Sequence, residues 1–152
     1  ASDVYKRQAM YQEIFDQPET YESHFEQEAC RNMLVPSMLI HPLVENSLKY
    51  CGSGGTHGMA NIRISAKHTE KLLELRIEDT SSPFPEDVLA ALEEMKRTGE
   101  DTEHKLGFGL AGTIRRLSLL YGDDYDFRIV QTDEFHKSII VTMPVEYADP
   151  SA

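Results

Sequence analysis

Two short runs of alternating apolar residues, Ile62, Ile64 and Ala66 in one and Leu73, Leu75 and Ile77 in the next, are separated by the polar stretch KHTEKL. A period of two sends successive side chains to opposite faces of a strand, so each run buries one face and wets the other. This pattern predicts a hairpin of half-buried strands. Continuing the count from Leu73 brings Asp79 to the same inward face, at the end of the second strand. A carboxylate aimed at a core is costly unless something pairs with it, so the position calls for a partner. Two later runs, YDFRIVQT and KSIIVTMPV, predict a second hairpin across DEFH.

Helical spacing governs the stretches between. Val35, Met38, Leu39, Pro42, Leu43, Ser47 and Leu48 predict a helix of about four turns, with Pro36 in a tolerant first turn and Pro42 as an irregularity. The segment CGSGGTHG breaks it. PEDVLAALEEMK predicts a short helix with Pro85 at its start, acids in its first turn, and Val88, Leu89, Leu92 and Met95 as its apolar stripe. RTGEDTEHK has no apolar period and predicts a mobile loop from Arg97 to Lys105. LGFGLAGTIRRLSLLYG then predicts a helix that turns Leu110, Ile114, Leu117 and Leu120 inward and closes at Gly122. Upstream, MYQEIF reads as a helix end and YESHFEQEAC as a strand. The sum is an α+β fold, a two-layer sandwich with a mixed, mostly antiparallel sheet and three helices on one face.

The chain has 152 residues, 40% hydrophobic and 27% charged, which is enough for one domain with its own core. Lys and Arg number 15 against 26 Asp and Glu, for a net charge of -11, and no basic cluster tracks a phosphodiester backbone. Nucleic acid is therefore excluded as a partner. Any anionic ligand must be held by local N–H groups and one or two cations against the overall field. Cys30 and Cys51 are too few for a disulfide framework and lack metal-site spacing, so they read as packed, reduced thiols of a cytoplasmic protein. No apolar run approaches the ~18 residues of a membrane span. We set residues 1–8, ASDVYKRQ, aside as an assembly scar, take 9–34 as a lead-in, 35–147 as the domain and 148–152 as a tail.

Three features line up in order: Asn46 with Lys49 on a helix, Asp79 at the inward end of a strand, and Gly107 and Gly109 at a helix start after a polar loop. Each alone is ordinary. Together they have a common use. A glycine-rich helix N-terminus offers free N–H groups, a positive dipole end and close backbone approach to a phosphate. The Asn46 amide oxygen suits Mg²⁺, which takes few protein ligands and shares substrate phosphates. Lys49, one turn on, lies on the same helix face and adds a point charge. A buried Asp79 can accept a hydrogen bond from an exocyclic amine such as that of adenine. The set predicts a Mg-nucleotide pocket roofed by the loop around 97–105.

The blocks MLIHPLVENSLKYC, LRIEDTSSPFPEDVLAAL and LGFGLAGTIRRLSLLYG resemble the N box, first glycine box and second glycine box of the sensor histidine kinase ATP-binding domain, in the superfamily shared with gyrase B and MutL. The resemblance runs from about Met33 to Val145 and is strongest to the LytS/YehU-like branch. It implies a Bergerat-type fold that binds ATP and Mg²⁺ under a lid and passes the γ-phosphoryl to a histidine. By that resemblance Asn46 is the magnesium ligand, Lys49 and Tyr50 flank the nucleotide, Asp79 reads adenine N6, and Gly107, Gly109 and Leu110 turn the backbone around the phosphates. Asn46 and Lys49 then form the catalytic pair, and Glu45 is the acid that commonly precedes the asparagine.

Two departures qualify it. After Asp79 the family's D-x-G-x-G is replaced by Thr80, Ser81, Ser82 and Pro83, and proline has no N–H. Gly112 stands where the branch often has asparagine. ATP-hydrolysing members of the superfamily carry a glutamate base where this chain has Pro42, which favours a kinase over an ATPase. None of the six histidines, His24, His41, His57, His68, His104 and His136, lies in a phosphoacceptor context. The implied partners are thus a phosphoacceptor-histidine dimerisation domain of a longer, membrane-anchored parent and a downstream response regulator. The second reading is a non-catalytic module with weak or no nucleotide binding that acts through protein contacts.

Overall fold

The computed structural model describes residues 6–14, 21–51, 61–80, 83–134 and 136–148, without the side chains of Lys49, Tyr50, Cys51 and Phe108. The elements run β1 (Arg7–Ala9), α1 (Met10–Ile14), β2 (Glu22–Phe25), a 3-10 turn (Glu28–Asn32), β3 (Leu34–Pro36), α2 (Ile40–Cys51), β4 (Arg63–His68), β5 (Leu72–Asp79), α3 (Glu86–Thr98), α4 (Gly107–Tyr121), β6 (Asp126–Asp133) and β7 (His136–Pro144). A five-stranded sheet has the order β2-β4-β5-β7-β6, and β1 and β3 form a separate two-stranded ribbon. Among the described residues only β2 and β4 pair in parallel; the other pairs are antiparallel. The α+β expectation holds.

The alternation read from the sequence becomes the register of the sheet. Ile64 pairs with Ile77 and Ala66 with Leu75 across β4 and β5, while Leu73, Leu75 and Ile77 pair with Met143, Val141 and Ile139 across β5 and β7. These residues form one buried layer. The intervening residues face away and alternate in charge, with Arg63 opposite Glu78 and Lys67 opposite Glu74. Opposite charges placed directly across a pair reinforce the register on that face. Ile140 is also buried on the outward-facing parity, flanked across the sheet by Arg76 and Arg128. The aliphatic stems of arginine suit such cover.

The first long helix differs from expectation. It starts at Ile40 rather than Val35, because Leu34–Pro36 is spent on the ribbon and Met38 takes a left-handed backbone at φ 63°. The helix phase is therefore set from Ile40. Ile40, Leu43, Val44 and Ser47 face the core, whereas Met38 and Leu48, both read as inward, are exposed. Pro42 falls in the first turn, where its missing N–H has no intrahelical acceptor in any case. In α3, Ala91 rather than Leu89 completes the buried stripe with Val88, Leu92 and Met95. Gly99, at φ 82°, caps that helix, so the expected loop begins two residues later than Arg97. The segment CGSGGTHG lies outside the described residues apart from the backbone of Cys51.

Arg7 and Gln8, in the segment set aside above, belong to β1, and Arg7 forms an ion pair with Glu146. The lead-in likewise contributes β2 to the main sheet. Its most consequential residue is Glu13, a buried acid on α1. The Ile40 N–H donates to Glu13 Oε1 at 3.2 Å, and Gln8 donates to the other carboxylate oxygen. A carboxylate from a distant helix thus satisfies a free donor at the start of α2 and complements its dipole. Replacing Glu13 with alanine is expected to cost about 1–3 kcal/mol, read as a lower midpoint in urea unfolding with unchanged slope.

Candidate nucleotide-binding site

Helix α2 lies on the core face of the sheet against β5 and packs along α4. The contact between the helices is close at Gly109, where an added Cβ would sit 3.6 Å from Cβ of Pro42, one turn before Asn46. The start of α4 is thereby held beside the first turn of α2. Gly107 begins α4 with φ 75° and open space around its Cα. Only glycine takes that backbone without strain, so its requirement is conformational rather than steric. Gly107→Ala is expected to lower stability by about 1–2 kcal/mol, measured by chemical denaturation.

Asn46 is half-buried on α2, yet its Oδ1 is buried and accepts no hydrogen bond among the described residues. Ser47 Oγ, the next residue, is in the same condition. Buried polar atoms are nearly always satisfied, so an amide oxygen left open marks a place where something else donates or coordinates. A hard cation or its water fits that oxygen. Asp79 ends β5 on the core face with 2% of its surface exposed, as the alternation required. Leu110 is buried beneath the start of α4. Lys49 and Tyr50 lie within α2, but their side chains are outside the described residues, as are Ser81 and Ser82.

The loop between α3 and α4 is built from its own polar groups. Asp101 accepts from the N–H groups of Lys105 at 3.0 Å and Leu106 at 2.9 Å, which organises the turn into α4. Lys105 reaches back to Asp87 on the first turn of α3 at 3.1 Å. That hydrogen bond holds the Asp87 carboxyl below its ordinary range and raises the Lys105 ammonium. The pair is solvent-exposed, so it positions the loop more than it stabilises the fold.

One participant escaped the sequence reading. Lys137 is 1% exposed and stands directly opposite Asp79 in the β5/β7 register. Its Nζ lies 4.0 Å from the centroid of the Phe84 ring. The signal was present, since Lys137 shares the parity of Ile139, Val141 and Met143 in KSIIVTMPV.

Over 114 residues the chain is 29% identical to the sensor histidine kinase YesM of Bacillus subtilis (strain 168), a match covering 75% of this chain and 18% of YesM. Its fold matches the mycobacterial sensor histidine kinase MprB at a TM-score of 0.60, with 14% identity over 95% of this chain and 99% of that one. The catalytic domain of histidine kinase ThkA, in a nucleotide-free form, gives a TM-score of 0.63 with 14% identity over 94% and 98% of the two chains. The chain thus resembles a sensor histidine kinase in sequence and shares its fold with histidine kinase catalytic domains. No protein-family model matches it. In this fold, α2, the end of β5 and the start of α4 carry the three blocks singled out in the sequence. Among the described residues no helix is long and apolar enough to cross a membrane.

Proposed function

We propose that the chain is the ATP-binding catalytic domain of a two-component sensor histidine kinase of the LytS/YehU-like branch. It binds ATP with Mg²⁺ and presents the γ-phosphoryl to a histidine on a separate dimerisation domain of its parent, from which a response regulator is phosphorylated. The parent is a membrane receptor with this domain on its cytoplasmic side. The open Asn46 Oδ1 carries the reading, because a buried acceptor on the N-box helix beside a glycine helix start supports a metal–phosphate contact.

Each residue has a physical task in this scheme. Asn46 orients the cation; when bound, that ion neutralises phosphate charge. Gly107 and Gly109 let the backbone N–H groups of α4 approach the phosphates, and Leu110 anchors that helix in the core. Asp79 accepts from the amine of the base, while Lys49 and Tyr50 flank the nucleotide. Phosphoryl transfer asks for positioning and charge stabilisation more than for covalent chemistry by the protein. With a net charge of -11, the ion is needed to admit a polyanion.

Titration with a fluorescent ATP analogue tests the proposal. Saturable binding that ATP displaces and a chelator weakens is the expected result. No binding at millimolar nucleotide would favour the non-catalytic reading, to which the Thr80–Pro83 segment lends support. Mixed with ATP alone, the chain is expected to gain no acid-labile phosphate, because the acceptor histidine belongs to another domain. Labelling on any of its own histidines would contradict that assignment.

A further inference from the structure

We propose that Lys137 is the positioning residue for Asp79: it is the carboxylate's counter-ion inside the core and holds it in place for the base. The two residues are direct partners across β5 and β7, on the same face of the sheet, at 2% and 1% exposure. A buried ammonium and a buried carboxylate are each costly alone and tolerable as a pair. The Phe84 ring beneath Nζ adds a cation–π contact and fixes where the ammonium sits. Lys137 therefore fixes where the Asp79 carboxylate sits against a base, which deepens the nucleotide-binding reading and rests on it.

A double-mutant cycle separates this role from packing. Lys137→Met keeps the length and loses the charge, and Asp79→Asn removes the other member. In the otherwise unaltered chain, Lys137→Met is expected to lower the folding equilibrium constant at least a hundredfold. In the Asp79→Asn background the same change should cost less than tenfold. Lys137→Arg, which keeps the charge, should retain most of the stability. If Lys137→Met is too unstable to purify, the double variant is expected to fold. A double variant that also fails, or an equal cost of Lys137→Met in both backgrounds, overturns the pairing.

The second readout is base choice. The unaltered chain and Lys137→Arg should prefer an ATP analogue over its GTP counterpart by about tenfold, and Lys137→Met should reduce that ratio below threefold. An unchanged ratio in Lys137→Met would mean that Lys137 does not position Asp79 for reading. If the unaltered chain binds neither nucleotide, the nucleotide-binding proposal fails. The stability cycle still decides the ion pair.

Discussion

Replacing Asn46 with alanine is expected to abolish the magnesium-dependent part of nucleotide binding while leaving the domain folded. The two halves of that result have one cause. Asn46 Oδ1 is buried and accepts no hydrogen bond among the described residues, so the amide contributes little to holding the fold and has its capacity free for a ligand. Deleting an unsatisfied polar atom is neutral or slightly stabilising. The thermal midpoint should therefore stay level or rise. A lost contact to a charged group costs about 1.5–3 kcal/mol, so analogue affinity in Mg²⁺ should fall about tenfold to a hundredfold. Calorimetric titration with and without chelator checks both. Equal affinity in the two proteins would remove Asn46 from the site.

The second large effect concerns Asp79. Its carboxylate sits on the core face at the end of β5, where an amine donor is a favourable partner and a carbonyl is not. Guanine presents a carbonyl where adenine presents its amine, which sets two acceptors against each other at a cost of about 1–3 kcal/mol. Adenine nucleotides should bind about tenfold or more tightly than guanine nucleotides, at ~1.4 kcal/mol per factor of ten. Asp79→Asn supplies an amide donor and should narrow the gap. Competition between ATP and GTP for the same fluorescent probe reads the ratio directly. Equal competition in the unaltered chain would show that Asp79 does not choose the base.

These residues were legible in the sequence for different reasons. Asp79 followed from parity: a period of two fixes the face of every residue in a strand once Leu73, Leu75 and Ile77 are assigned inward. Lys137 obeys the same parity on β7, yet a lysine is so seldom buried that the charge outweighed the count. The helix α2 was found with its phase shifted, because Val35 and Leu39 are buried for reasons that helical spacing does not record. Val35 belongs to the β1/β3 ribbon, a pairing of segments far apart in sequence, and such pairings leave no local period. Glu13 was missed on the same ground. Its partner, the Ile40 N–H, is 27 residues away, and nothing near Glu13 in the chain marks it as a helix cap. Gly107 and Gly122 were easier, since they bracket the LGFGLAGTIRRLSLLYG helix pattern, and both take a positive φ, whereas Gly99 was hidden in a stretch read as loop.

Amide chemical-shift mapping by NMR tests the nucleotide pocket most directly. On addition of ATP with Mg²⁺, the account predicts shifts concentrated in three separated segments: the middle of α2 around Asn46, the end of β5 at Asp79, and the start of α4 from Gly107 to Leu110. The charged outer face of the sheet, with Arg63, Lys67, Glu74 and Arg76, should remain unmoved. Shifts confined to that outer face, or none at saturating nucleotide, would contradict the account.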